Sequence, residues 1–342
     1  MKYNFLIKSI AILVVSFFMI GFASCKLNEE KKEEAMGQEE PVKTKAPLFK
    51  LSLAQWSMHK MIFDGSVSPF DFAKKAKAWG FEGLEYVSQL YSAELAEYDD
   101  ENEGMQALVA RLKKESAVAG IENLIIMVDG EGDLADPDES KRDQSVEKHK
   151  KWVDAAQALG CHSIRVNTFG TNDPEVWHVA VQDGLKKLSE YAATKNINIL
   201  VENHGWLSSD APKLMKAIEG VNMSNCGTLP DFGNWCIKRK KGKKWGECVE
   251  EYPDMYQGIQ LMMPAAKAVS AKSYDFDADG NETKIDYYKM LQIVKDAGYT
   301  GYIGVEYEGN RLSEEEGIIA TKELIIKAAE KINYLTAYTN EN

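Results

Sequence analysis

The chain has five cysteines in 342 residues and no C-x-x-C pair, so nothing in it reads as a structural zinc site. Its nine prolines never gather with glycine and serine into a linker between residues 50 and 338, which favours one domain over two. Basic charge is short. Lys and Arg number 41 against 53 Asp and Glu, for a net charge of −12. A surface of that sign argues against a nucleic-acid partner, which would be held through its phosphates. The apolar stretch Ile10–Phe22 is too short to span a bilayer as a helix. The run QWSMHKMIFDG after the first predicted strand holds no Gly-rich phosphate turn, which tells against an open doubly wound sheet.

What is present begins with a leader. Lys2 and Lys8 flank the start of the apolar stretch, and Phe22-Ala23-Ser24-Cys25 closes it, so residues 1–25 read as an export signal. Small residues before a cysteine resemble a bacterial lipobox, with Phe22 in place of the usual Leu. That resemblance implies lipidation of Cys25 and a chain anchored to the cell envelope, on a periplasmic or outer-membrane face. The alternative is an ordinary signal peptide cut near Ala23. Residues 26–49 are rich in Lys and Glu, cannot bury a core, and read as a disordered tether.

Residues 50–338 alternate two kinds of pattern. Strand signals fall at residues 51–55, 83–86, 123–128, 163–167, 198–202, 225–229, 268–272 and 302–306. Helical patterns fall between them at 69–79, 104–119, 140–159, 174–195, 285–297 and 313–334. Gly120 and Gly160 stand where a left-handed C-cap belongs. The alternation predicts an α/β fold, a single-domain (β/α)8 TIM barrel, whose site lies at the C-terminal ends of its strands.

Three carboxylates end three of those strands: Glu202 after NINILV, Asp231 after NCGTLP and Glu306 after GYIGV. A buried acid is costly without a cation, a proton or an ion pair. The set reads as ligands for a divalent metal, with Glu202 and Glu306 also placed for proton transfer. The bland alternatives are an ion pair from Glu202 to Arg165 or Lys272, and a simple Pro-Asp-Gly turn at Asp231. Lys272 is either a counter-charge or a group that polarises a carbonyl. His204, two residues past Glu202, is a second candidate for stabilising an oxyanion. Arg165 and Asn167 share one face of the fourth strand. With Asn203, Asn234 and Trp56 they are the expected substrate-binding groups. Trp177, Trp206 and Trp235 also follow strand ends and divide between sugar stacking and packing.

The order Glu, Asp, Glu on strands five, six and eight resembles the sugar phosphate isomerase/epimerase superfamily, the xylose-isomerase-like barrels. VENHG and GYTGYIGVEYEG are similar to that family's strand-five and strand-eight signatures. The resemblance implies a metal site of Glu202, Asp231 and Glu306, and a small carbohydrate as the partner. It implies a sugar isomerase or epimerase that moves a proton next to a carbonyl. Two positions depart from it: Ser270 stands where the family has a metal-binding His, and Asn234 where it often has a substrate-binding His. Three carboxylates without the His suit Mn²⁺ or Mg²⁺ better than Zn²⁺. Otherwise Lys272 has replaced the metal. An exported chain points to an unphosphorylated sugar, keto-sugar or polyol. The missing His keeps a lyase or hydratase of keto-sugars or keto-glycosides open, and a non-catalytic carbohydrate-binding barrel is the third reading.

Three remaining features carry bland expectations. The acidic stretch from Asp275 to Gly280 imitates a calcium loop but reads as a turn. Lys238 to Lys244 reads as a solvated loop. Cys236 and Cys248 are close enough in sequence to bond, but free thiols are the expected state.

Overall fold

Long β-branched and aliphatic runs with little alternation suit strands covered on both faces, as in a barrel wrapped by helices. In the computed structural model, which describes residues 43–336 and 339–340, these runs become eight parallel strands. They are β1 (Lys50–Ala54), β2 (Gly83–Val87), β3 (Glu122–Met127), β4 (Ser163–Val166), β5 (Asn198–Glu202), β6 (Cys226–Leu229), β7 (Val269–Ser273) and β8 (Tyr302–Tyr307). The hydrogen-bonded order is β7-β8-β1-β2-β3-β4-β5-β6. The gap between β6 and β7 is closed by parallel bridges at Thr228–Ala266 and Asp231–Ser270. There Ser270 N donates to Pro230 O at 2.9 Å and Phe232 N to Ser270 O at 3.0 Å. The result is a single-domain (β/α)8 TIM barrel.

A helix follows each strand: α1 (Phe72–Ala78), α2 (Glu101–Ala119), α3 (Glu139–Leu159), α4 (Pro174–Ala193), α5 (Ala211–Val221), α6 (Met255–Met262), α7 (Tyr287–Asp296) and α8 (Glu314–Lys331). Asp side chains cap the N-termini of α2 to α7, at Asp100, Asp138, Asp173, Asp210, Asp254 and Asp286. Ser313 and Glu316 form a capping box on α8. Part of the acidic surplus therefore serves helix starts, where exposed amides and the helix dipole favour negative charge. Gly120 and Gly160, at φ 62° and 83°, end α2 and α3 as the sequence predicts.

Two apolar layers hold the barrel. The larger lies between strands and helices; a smaller cluster, including Leu124, Met127, Leu200 and Leu229, fills the barrel itself. That filling leaves the polar inward residues to gather at one end. Among the described residues no helix is long and apolar enough to cross a membrane.

The differences from the sequence reading are local. The helical pattern from Pro69 opens as a 3₁₀ turn, Pro69–Asp71, before α1. No pattern announces α5 or α6, which are short and flanked by Ser-Ser-Asp and Pro residues. Between β6 and α6 an antiparallel hairpin, Cys236–Arg239 with Cys248–Glu251, is added to the eightfold plan. Its two strands are joined by a Cys236–Cys248 disulfide, which corrects the expectation of free thiols. The physical reason is the pairing of the two short strands, which brings the Cα atoms to 5.8 Å. Asp275 to Gly280 is the expected turn, with Asp275 held by Arg311 at 2.6 Å. The leader, Cys25 and residues 26–42 of the tether lie outside the described residues; residues 43–49 correct the expectation of disorder, because Lys43–Thr44 pair with Thr339–Asn340 and Phe49 is buried against Tyr334.

Candidate active site

Parallel strands bring their C-terminal ends to one rim, so acids that end different strands meet. Glu202 ends β5, Asp231 lies two residues past β6, and Glu306 is the penultimate residue of β8. One oxygen from each lies within 4.8 Å of the others, and all three are buried, at 2 %, 0 % and 4 % exposure. Each acid already has a polar partner. Asn234 Nδ2 donates to Glu202 Oε1 at 2.8 Å. Arg165 Nε sits 3.0 Å from Glu202 Oε2, but its N–H is out of line, so this contact is an ion pair and not an aligned hydrogen bond. Gly233 N and Asn234 N donate to Asp231 Oδ1 at 2.9 and 2.8 Å. Ser270 Oγ bridges Asp231 Oδ2 at 2.6 Å and Glu306 Oε2 at 3.2 Å. Lys272 Nζ lies 3.0 Å from Glu306 Oε1 and 3.6 Å from Glu308 Oε1.

The charges do not balance locally. Burial raises the Asp231 carboxyl well above its ordinary value, and the charges of Glu202 and Glu306 add to the rise while Lys272 opposes it. Burial likewise raises Glu306 against the pull of Lys272, with help from Glu202 and Glu308. Lys272 is the reverse: burial works to discharge it, and Glu306, Glu308 and Asp231 hold it firmly charged. Raised acids beside a fixed cation mark a surplus of negative charge that a proton or a metal ion would satisfy. The donor set is all oxygen (three carboxylates and the Ser270 hydroxyl), which fits a hard cation.

Beside the acids runs a second network. Arg165 Nη1 donates to Asp129 Oδ1 at 3.1 Å, and Asn167 Nδ2 donates to the same oxygen at 2.6 Å. The Asn167 amide therefore turns its Oδ1 to His204, whose Nδ1 lies 2.7 Å away and must carry the hydrogen. Burial, Arg165 and Lys272 push the His204 imidazole down to about 3, so the ring is neutral and its Nε2 is an acceptor. Burial works to raise Asp129, and the charge of Arg165 with hydrogen bonds from Arg165 and Asn167 brings it below the usual range.

These groups open onto a cavity of about 720 Å³, lined by Trp56, Arg165, Asn167, His204, Asn234 and Glu306 among others. Glu306 alone of the three acids lines it; Glu202 and Asp231 sit behind, under Asn234 and Arg165. Asn203 is placed differently from the sequence expectation. It is fully buried and its amide clamps backbone, accepting from Asp231 N at 2.7 Å and donating to Asp231 O at 2.9 Å. It positions Asp231 and does not line the cavity. Trp177 and Trp235 are core, with indole N–H groups on Thr168 O and Phe232 O. Lys238 to Lys244 is not simply solvated: Arg239 and Lys244 line the cavity.

Sequence reasoning missed two acids. Asp129 lies two residues past β3, the same placement that Asp231 has after β6. Glu85 lies within β2, where a lone charge in an apolar run was the only clue. It is buried in the barrel interior with Ser52 Oγ 2.6 Å from Oε1 and no partner on Oε2. Burial pushes it up to about 7 against the Ser52 bond, with Glu306 and Glu202 adding to the rise. Gly304 leaves it room: a Cβ there would lie 2.5 Å from Glu85 Oε1.

The profile of a family described as Xylose isomerase-like TIM barrel matches residues 73–328. No curated protein matches the chain by sequence. Among solved structures, an L-ribulose 3-epimerase superposes with a TM-score of 0.61 at 13 % identity, covering 83 % of this chain and 97 % of that one. The IolI protein with a binding zinc atom gives 0.58 at 15 %, covering 83 % and 99 %. The 3-keto-D-glucoside 4-epimerase YcjR from E. coli gives 0.57 at 14 %, covering 75 % and 93 %. At such identities the likeness is one of fold.

Proposed function

Because the chain belongs to the Xylose isomerase-like TIM barrel family, we propose that it is a metal-assisted sugar isomerase or epimerase. It would move a proton at the carbon beside a carbonyl of an unphosphorylated sugar, keto-sugar or polyol. The observation that carries this reading is the convergence of Glu202, Asp231 and Glu306 within 4.8 Å, with Glu306 facing the cavity. The names of the structural neighbours, two of them sugar epimerases, support the substrate class.

Glu202, Asp231 and Glu306 would hold a divalent cation, Mn²⁺ or Mg²⁺ in preference to Zn²⁺, and that ion would supply Lewis acidity at the substrate carbonyl. The protein's own groups do the rest. Glu306 faces the cavity, and a carboxyl raised by burial suits it to take and return a proton. Lys272 holds Glu306 in place and keeps positive charge next to it. His204, neutral and donating from Nδ1 to Asn167, offers Nε2 to a substrate hydroxyl. Its role is therefore acceptance, and the donor role falls to Arg165, which lines the cavity. Trp56 offers a ring face to the sugar. Export through the leader at residues 1–25, with a lipid on Cys25, belongs to the same reading and favours a substrate without phosphate.

Ser270 in place of the family's His favours one second reading, a lyase or hydratase of keto-sugars or keto-glycosides that uses the same proton transfer. Incubation of keto-sugars and glycosides in D₂O with Mn²⁺, followed by NMR, tests both. Deuterium entering one carbon, and lost with Glu306→Gln, is expected. Retained stereochemistry with a new double bond or added water selects the lyase. Sugar binding without exchange under any divalent ion leaves only a binding barrel.

A further inference from the structure

The hairpin between β6 and α6 is an addition that the eightfold plan does not need, and its tip stands over the site. Three fasteners fix that tip. The Cys236–Cys248 disulfide ties the start of the first strand to the tip-side end of the second. Lys244 Nζ reaches Asp133, in the loop between β3 and α3, at 2.5 and 2.6 Å from its two oxygens. Trp206 Nε1 donates to Lys243 O at 3.0 Å. Between them Trp245 is 49 % exposed yet held by rings, 5.1 Å from Phe169 in an edge-on contact and 5.0 Å from His204. A large indole that is half open, braced by two rings and on a cavity wall has surface to offer.

We infer that the outer part of the cavity is a subsite for a second sugar ring, so that the substrate is a glycoside and not a free monosaccharide. This rests on the reading of the protein as a sugar enzyme. Cavities of roughly 300–1,000 Å³ hold drug-sized ligands; this one, at about 720 Å³, is larger than a single hexose requires. Its aromatic surfaces are in two places. Trp56 follows β1, stacked on His59 at 4.4 Å, and Trp245 belongs to the β6 loop, three strands round the barrel. Apolar ring faces matched by polar edges are how a sugar ring is held. The polar edge here is Arg239, which also lines the cavity. Its Nη1 is tied to Gly246 O at 2.8 Å, and its Nε has no acceptor. Lys244 is paired with Asp133 at the cavity wall, so the two offer hydroxyls an acceptor and a donor side by side.

Calorimetry with a panel of methyl glycosides, and of disaccharides carrying the same rings at the non-reducing end, tests the subsite. At least one disaccharide is expected to bind about tenfold more tightly than its methyl glycoside. Trp245→Ala should bring that disaccharide down to the methyl glycoside's level, and Trp245→Phe should keep most of the advantage. The indole is half exposed, so both variants retain the fold. Equal affinities, an advantage that survives Trp245→Ala, or no binding anywhere in the panel overturns the inference. Deuterium exchange on monosaccharides with no gain from a second ring would leave the isomerase reading intact. A second-ring gain with no exchange on any sugar would remove that reading and leave the subsite.

Discussion

Lys272 Nζ lies 3.0 Å from Oε1 of Glu306, the residue directly opposite it in register on the next strand. Both are buried, so the pair sits where charge is most expensive and most effective. Lys272 gives the acid cluster one fixed positive charge, and the raised carboxyls of Asp231 and Glu306 show that one is not enough.

Lys272→Met should therefore destabilise by about 3–5 kcal/mol, because it strands a buried carboxylate. Urea unfolding measures this. Mn²⁺ should restore more stability to the variant than it adds to the wild type, since it supplies the lost charge. Adding Glu306→Gln to Lys272→Met should recover much of the loss. An unchanged urea midpoint for Lys272→Met would contradict the account of the pair.

Ser270→Ala removes a hydroxyl that serves two acids, at 2.6 and 3.2 Å. The expected cost is about 1–3 kcal/mol for leaving buried acceptors without their donor. Because Asp231 keeps two backbone donors on its other oxygen, the fold should survive. A thermal scan showing no shift would mean that the bridge contributes nothing.

Glu85 predicts a pH dependence. Its folded carboxyl titrates at about 7 against an ordinary value of 4.5, so the folded state binds the extra proton between those limits. Stability falls as pH rises through that window, by up to roughly 3 kcal/mol from this group. Glu85→Gln cannot ionise and should give a flatter profile from pH 4.5 to above 7, and a more stable protein at pH 8. Parallel profiles for the two proteins would sink the assignment.

Reducing the Cys236–Cys248 disulfide, or replacing both residues by Ser, should lower stability by about 3 kcal/mol if the hairpin unfolds with the barrel. The more specific expectation is that the tip loosens first. Proteolysis near Lys241, exposed and at φ 58°, should become faster before the barrel melts. Equal cleavage rates with and without reductant would show that Lys244–Asp133 and Trp206–Lys243 suffice to hold it.

The legible features were those written locally. Apolar runs, Gly C-caps and acids at strand ends are each set within a few residues, and they located all eight strands to within one residue and the three converging carboxylates. The two short helices were not legible, because Ser, Asp and Pro at their starts carry the same composition as a loop. Asn203 was misplaced for a related reason: its type suits a sugar, and only the approach of the β6 loop commits its amide to the Asp231 backbone.

By itself the order of residues determined that strands and helices alternate and that Glu202, Asp231 and Glu306 stand at strand ends, because period and cap chemistry act over one or two turns of chain. The folded barrel alone decided which charges meet. Ser270 across Asp231 and Glu306, Glu85 beneath Gly304, and Lys244 on Asp133, 111 residues away, all depend on register and closure. Those are set by packing the whole ring of strands at once, and no stretch of sequence encodes them singly.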